Sequence, residues 1–357
     1  MRVAVVFGGR SSEHSISCVS AGSIIRALHE GGYHVVPIGI DQQGQWSVQS
    51  SDPQLLQIHD GQLPQVTRSA EAVSPTAGDE SVAATSTSLS DVDVVFPVLH
   101  GPWGEDGTIQ GLLELAGVPY VGSGVFASAA AMDKSQCKRL LKAEGIGVVS
   151  WVDLNRRSWA QSTDSLIAGC ESLGYPLFVK PARAGSSIGV SKAHDRDELM
   201  RAIDEAFTHD PRALVESAVE GAREIEVGVI TDAFGNTSAS VPAEIVVRSG
   251  HEFYDFEAKY LDDSVDLIVP AELSAEQSHA VRALACSVFE VLGCEGLARI
   301  DVFIDSAGSI HVNEVNTMPG FTSISMFPRM WAATGMDYPT LVDHLVRDAL
   351  RRGTGLR

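Results

Sequence analysis

The chain has 357 residues and a formal net charge of −20, from 26 Lys plus Arg against 46 Asp plus Glu. With 44% hydrophobic and 20% charged residues it has the make-up of a folded protein of roughly two or three packed units, which excludes a small stapled fold and a disordered chain. That charge would repel a phosphate backbone over most of the surface, so a general nucleic-acid binder is excluded; a small anion held by local Lys, Arg and N–H groups is not.

In chain order, residues 2–7 form a continuous apolar run suited to a buried parallel strand, followed by a loop over 8–15 and a helix to about Glu30, stopped by Gly31 and Gly32. A strand over 33–40, an apolar strand over 91–98 and a helix over 107–116 ended by Gly117 and Pro119 complete a small doubly wound unit closing near residue 122. Residues 50–90, rich in Ser, Thr, Ala, Gln and Pro with no sustained period, are expected to be a mobile surface insertion without chemistry. A helix over 132–144, capped by Asp133 and stopped by Gly145, leads to strands near 148–153 and 177–180. Beyond residue 212, β-type runs at 213–216, 224–231 and 238–247 are followed by one clear helix. Its capping box is Ser274 with Gln277, and Val281, Leu284, Ala285, Val288, Phe289 and Leu292 follow at helical spacing. A hairpin around 305–308 and a helix over about 339–351 end the chain.

The five cysteines are scattered with no Cys-x-x-Cys pair, which suits a reducing compartment and no structural zinc site. The apolar run behind Met1 is too short for a signal peptide and no apolar stretch reaches membrane-spanning length, so a cytoplasmic protein without a membrane partner is expected.

Chemistry concentrates in LARIDVFIDSAGSIHVNEVN, residues 297–316. Arg299 and Asp301 share a strand face, as do Glu314 and Asn316 on the next strand; a hairpin loop of two or four residues would make the faces coincide. Two carboxylates, a carboxamide oxygen and a guanidinium would then stand together, a set suited to Mg²⁺ holding nucleotide phosphates. The plain alternative is a solvated hairpin face laced with salt bridges. Thr317-Met318-Pro319-Gly320 follows, and its glycine allows close approach of backbone to a ligand. A second signal is Lys180 at a strand end before Gly185, Ser186, Ser187 and Gly189, small residues able to fold over phosphates; it is no Walker A loop, and a simple turn is the alternative. HGPWGEDG at 100–107 and GGRSSEHS at 8–15 leave apolar strands where α/β folds place ligand loops, or serve only as polar caps.

Taken in order, GGRSSEHSIS (8–17), HGPWGEDGTIQG (100–111), KPARAGSSIGVSK (180–192), FYDFEAKY (253–260), ARIDVF (298–303) and NEVNTMPGFTSISMFP (313–328) resemble the D-alanine:D-alanine ligases of the ATP-grasp superfamily, over about residues 1–350 apart from 50–90. The resemblance implies an α/β fold of α+β ATP-grasp type. An N-terminal doubly wound substrate-binding domain (1–122) would precede a central subdomain (123–216) and a C-terminal subdomain (217–357) with metal site and lid. It implies ATP-dependent joining of two D-alanines through an acyl phosphate, for peptidoglycan precursors. ATP would be held by Lys134, Lys180, Glu216, Val219, Glu224 and Lys259, the last on a lid over roughly 247–262. Asp301, Glu314 and Asn316 would bind two Mg²⁺ ions, or Mn²⁺ in their place. Glu13, Ser186 and Tyr260 would form a hydrogen-bonded trio at the D-alanine sites, with His100 near the first substrate and Ser325 with Met326 at the second carboxylate. Arg299 and the Gly320 N–H would stabilise the oxyanion. A homodimer is likewise implied. The segment 216–224 is one residue longer than the common hinge, and Ser15 replaces an acidic residue common there.

Overall fold

A computed structural model describes residues 1–59, 61–69, 71–74, 87–219, 221–247 and 265–355. Lys259 and Tyr260, the FYDFEAKY motif and nearly all of the expected lid lie outside the described residues.

The first sheet contains β1 (Arg2–Gly8), β2 (His34–Ile40), β3 (Trp46–Val48) and β6 (Val94–Pro97), in the order β3-β2-β1-β6. β1 runs parallel to β2 and β6, and its run VAVVF is buried on both faces, as a central parallel strand demands. On one face Val3, Val5 and Phe7 pack with Cys18, Ile25 and Leu28 of the helix His14–Glu30. The same core takes in Phe327 and Trp331 of the helix Met326–Thr334 and Leu341 and Leu345 of the helix Tyr338–Arg352, so the chain's end closes the sheet formed by its beginning. The other face, with Ala4, Val6 and Ile38, is covered by Ile109 and Leu113 of the helix Thr108–Ala116.

The stretch 50–90 is described in part. It contributes the short parallel pair β4 (Val73–Ser74) and β5 (Thr87–Ser88), and Leu56 is buried against the first helix. Val66 packs against the same core, which the composition of this stretch does not announce.

The second sheet, in the order β7-β10-β8-β9, joins β7 (Trp151–Asn155), β8 (Leu177–Pro181), β9 (Ser191–Ala193) and β10 (Arg212–Ser217), all antiparallel. Leu177, Val179, Ala213 and Val215 alternate toward the helices Arg156–Glu171 and Arg196–His209, so Phe178, Lys180 and Glu216 face the opposite side. The third sheet contains β11 (Arg223–Thr231), β12 (Thr237–Ala239), β13 (Ala243–Val247), β14 (Val265–Ile268), β15 (Leu297–Ile304) and β16 (Ile310–Asn316). Their order is β14-β13-β11-β15-β16, with β12 beside β11. Ile225, Val227, Ile300 and Val302 pack on Val281, Ala285 and Val288 of the helix Ala275–Val291, whose capping box is present, and the intervening polar residues face the second sheet.

Some elements depart from the sequence reading. Residues 132–144 carry the end of one helix, Val125–Met132, and a second, Lys134–Ala143; Asp133 is the hinge, its Oδ1 accepting from Gln136 N at 3.1 Å. The run 238–247 is two strands, because Pro242 has no N–H to continue a ladder. The helices Val125–Met132, Arg156–Glu171, Arg196–His209 and Met326–Thr334 went unread, although Leu199, Ile203 and Phe207 recur at helical spacing behind the Asp195 cap. Among the described residues no helix is long and apolar enough to cross a membrane.

Candidate active site

A cavity of about 440 Å³ lies between the second and third sheets. One wall carries Phe178, Lys180 and Glu216; the other carries Glu224, Glu226, Arg299, Asp301, Phe303 and Glu314, with Val219 in the connection between them.

The loop 305–309 that joins β15 to β16 is odd in length, so a regular ladder would set Val315 opposite Arg299 and turn Glu314 and Asn316 to the far face. A β-bulge between Asp301 and Val302 inserts Asn313 as the extra residue. Beyond it Asp301 opposes Glu314 and Arg299 opposes Asn316, and all four share the cavity face. Asn313 also turns inward and accepts from Lys180 Nζ at 3.2 Å.

Arg299 donates from Nε and Nη2 to the two oxygens of Asp301, each at 2.7 Å, and lies 3.3 Å from Glu226 Oε1. Burial alone would lower the guanidinium pKa, but Asp301 and Glu226 outweigh it and hold Arg299 charged. Asn316 Nδ2 donates to Asp301 Oδ2 at 3.0 Å and Glu314 Oε1 at 3.4 Å, and Lys134 Nζ stands 4.0 Å from Glu314 Oε2. Opposite, Glu216 lies between two lysines, with Lys180 at 2.6 Å and Lys138 at 2.7 Å. Burial would raise the Glu216 carboxyl, yet the two ammonium groups bring it down to about 2.

On the third-sheet wall Glu224, Glu226, Asp301 and Glu314 outweigh Arg299, the Arg223–Glu244 pair cancelling. An anionic phosphate chain facing that wall needs a hard cation between, and Asp301, Glu314 and the Asn316 amide oxygen are suitable ligands. Among the described residues no three His, Cys, Asp or Glu side chains converge on one point, so phosphate oxygens and water would complete such a shell. These residues therefore fit a nucleotide-bound divalent ion better than a cage supplied wholly by protein.

Beyond the cavity, Ser186 Oγ donates to Glu13 Oε1 and joins the Gly185–Gly189 loop to the loop that follows β1. Ser186 and Ser187 sit at φ 48° and 58°, a conformation costly for residues with a side chain. A Cβ at Gly101 or Gly185 would fall 2.6 or 2.7 Å from Glu13 Oε2, so both glycines are needed to admit that carboxylate. His100 Nδ1 is 2.9 Å from Met318 O, and the Met318 N–H donates to Glu105 Oε2 at 3.3 Å. Two residues of the loop after β6 thus grip the backbone leading to Gly320. Ser325 Oγ accepts from Thr322 N at 3.1 Å, and Met326 is buried at the start of its helix.

Three participants were missed by the sequence reading, and two had a signal. Glu226 lies two residues from Glu224 on the same strand face, and Lys138 lies one helical turn after Lys134. Glu105 was only part of a motif; burial first, and the Glu13 charge second, push its carboxyl up to about 8.

Family models for the D-ala D-ala ligase N-terminus and C-terminus match residues 2–123 and 140–347. A D-alanine--D-alanine ligase of Kineococcus radiotolerans is 52% identical over 371 residues, spanning 100% of this chain and 98% of the relative. The corresponding ligase of Mycobacterium avium is 53% identical over 375 residues with the same coverage. The D-alanine-D-alanine ligase structure from Coxiella burnetii superposes with a TM-score of 0.79 at 32% identity, covering 99% of this chain and 94% of that one. The VanG D-Ala:D-Ser ligase from Enterococcus faecalis superposes with a TM-score of 0.81 at 34% identity, covering 98% and 99%. Matched along its whole length in both sequence and architecture, the chain belongs to the D-alanine–D-alanine ligase family, with the ATP-grasp fold.

Proposed function

We propose that the protein joins two D-alanine molecules into D-alanyl-D-alanine with consumption of ATP, for peptidoglycan precursors. The observation that carries this reading is one cavity that gathers Lys134 and Lys180 with Asp301 and Glu314, its lining including Ala184 and Ser187 of the loop whose Ser186 bonds Glu13. The carboxylate of the first D-alanine attacks the γ-phosphorus of ATP, giving an acyl phosphate and ADP. The amine of the second attacks the acyl carbon, and the tetrahedral oxyanion collapses to dipeptide and phosphate.

Lys134, Lys180 and Lys259 bind the phosphates, while Glu216, Val219 and Glu224 bind the base and ribose, the apolar slot of Phe178 and Val219 suiting a planar ring. Mg²⁺ or Mn²⁺ held by Asp301, Glu314 and Asn316 would neutralise phosphate charge during transfer. Glu13, with Ser186 and Tyr260, receives substrate ammonium; His100 borders the first D-alanine, and Ser325 and Met326 border the second carboxylate. Arg299, held by Asp301 and Glu226, and the Gly320 N–H, on a backbone gripped by His100 and Glu105, stabilise the oxyanion at about 3 to 4 kcal/mol per donor. The division at 1–122, 123–216 and 217–357, a lid over 247–262 and a homodimer belong to the same proposal. So does a cytoplasmic setting, supported by five free thiols.

The test is phosphate release and product analysis with ATP, a divalent cation and D-alanine, with D-serine and D-lactate as competing second substrates. D-alanyl-D-alanine should dominate at neutral pH; a preference for either competitor would replace the dipeptide reading, and no D-alanine-dependent phosphate release would refute it.

A further inference from the structure

Val66 belongs to the stretch whose sequence carries no period, yet it touches the loop that bears Glu13. Its backbone N–H donates to His14 Nε2 at 3.1 Å, and His14 Nδ1 in turn donates to Gly9 O at 2.6 Å. Because Nε2 accepts, the imidazole proton sits on Nδ1 and the ring is a neutral relay. His14 is 2% exposed and directly follows Glu13. The Val66 side chain fills a notch left by two glycines: a Cβ at Gly8 would lie 2.7 Å from Val66 Cγ2, and one at Gly39 2.7 Å from Cγ1. Flanking contacts hold this strap to the sheet, with Gln49 Nε2 donating to Thr67 O at 3.1 Å and Arg68 Nε 3.5 Å from Asp41 Oδ2. The loop 8–13 is therefore braced from outside by Val66 and His14, and from inside by the Ser186 bond to Glu13.

We propose that Val66 is a positioning residue for D-alanine binding: its N–H through His14, and its side chain through the notch at Gly8, hold the loop 8–13 so that the Glu13 carboxylate meets substrate ammonium. The proposal rests on the reading of Glu13 as an amino-acid-site residue. Val66 is only partly buried and its neighbours Gln65 and Thr67 are exposed, so the strap adds little apolar core. Its main effect falls on the loop, where a displacement well under 1 Å is enough to weaken a charged contact.

The experiment compares steady-state kinetics and melting of Val66→Ala, Val66→Ile, His14→Leu, Glu13→Gln and the exposed control Gln65→Ala. Val66→Ala removes both Cγ atoms and should raise KM for D-alanine about three- to tenfold, with KM for ATP within about twofold and little change in Tm. Val66→Ile keeps the notch filled and should behave as wild type, as should Gln65→Ala. Val66→Ala leaves the N–H of residue 66 and its bond to His14 in place, so a rise in its D-alanine KM reports the notch at Gly8 and Gly39. An unchanged D-alanine KM in Val66→Ala, or an equal rise in both KM values, overturns the proposal. Should His14→Leu fail to fold, Val66→Ala against Val66→Ile still decides. If Glu13→Gln itself leaves the D-alanine KM unchanged, the assignment of Glu13 is wrong; if Glu13→Gln raises it and Val66→Ala does not, only the strap is wrong.

Discussion

Lys180 and Lys138 flank Glu216 at 2.6 and 2.7 Å, and the buried carboxylate is the counter-ion for the buried Lys138 ammonium and the partly buried Lys180 ammonium. Replacing it by Gln leaves both lysines without that charge, and removing one partner of such a buried pair costs about 3 to 5 kcal/mol. Because the folded-state pKa of Glu216 lies below the ordinary value of 4.5, its stabilisation is complete above that pH and is lost as pH falls toward about 2. Urea denaturation should thus show Glu216→Gln well below wild type at pH 7, with the gap narrowing below pH 4.5; a gap independent of pH would separate Glu216 from these charges. Glu314→Gln keeps shape and removes one of the two carboxylates available to a cation. Turnover should fall by orders of magnitude with an unchanged circular dichroism spectrum, and more than about a tenth of wild-type turnover at saturating Mg²⁺ would contradict its role as a ligand.

At the scale of elements, the hairpin of β15 and β16 shows how little a period says about a face without its register. The i, i+2 spacing placed Arg299 with Asp301 and Glu314 with Asn316, but the bulge at Asn313 alone brings the two pairs together. On the back of this sheet, the helix Ala275–Val291 starts at a reciprocal cap, Ser274 Oγ accepting from Gln277 N at 3.2 Å and Gln277 Oε1 from Ser274 N at 3.3 Å. Ser274→Ala should cost about 1 kcal/mol in urea unfolding while kcat stays at the wild-type level, since neither Ser274 nor Gln277 lines the cavity. A fall in kcat without loss of stability would mean that the helix start communicates with the site.

For the whole molecule, the cavity is made by two sheets that each have a separate hydrophobic backing, so a nucleotide bound between them adds to the folded state without being required for it. With a divalent cation and a non-hydrolysable ATP analogue at about 100 times its Kd, stability should rise by about 2.7 kcal/mol. Chelation of the cation should remove most of that gain in a melting experiment; an analogue that stabilises equally with chelator present would exclude the cation from nucleotide binding. The C-terminal helices pack on the first sheet, so a truncation before Met326 would strip Phe327, Trp331, Leu341 and Leu345 from the core that buries β1.

Local chemistry by itself determined the buried strand of residues 2–7, the capping box at Ser274, the Asp133 cap and the polar motifs that mark the family, because each depends on neighbours within a few residues. The tertiary structure alone decided what those residues touch. Lys138 joins the site because its helix carries it to Glu216 of the second sheet, Glu226 because β11 pairs with β15 and sets it opposite Asp301, and Glu105 because the backbone of Met318 returns to it from the far end of the chain. Val66 braces Glu13 for the same reason: its N–H finds His14 only after β1 and β2 have paired, with Gly8 opposite Ile40 and Gly39 opposite Phe7, and left the notch that its side chain fills. Register, bulges and long-range hydrogen bonds pair residues by position in space, and no local period records that pairing.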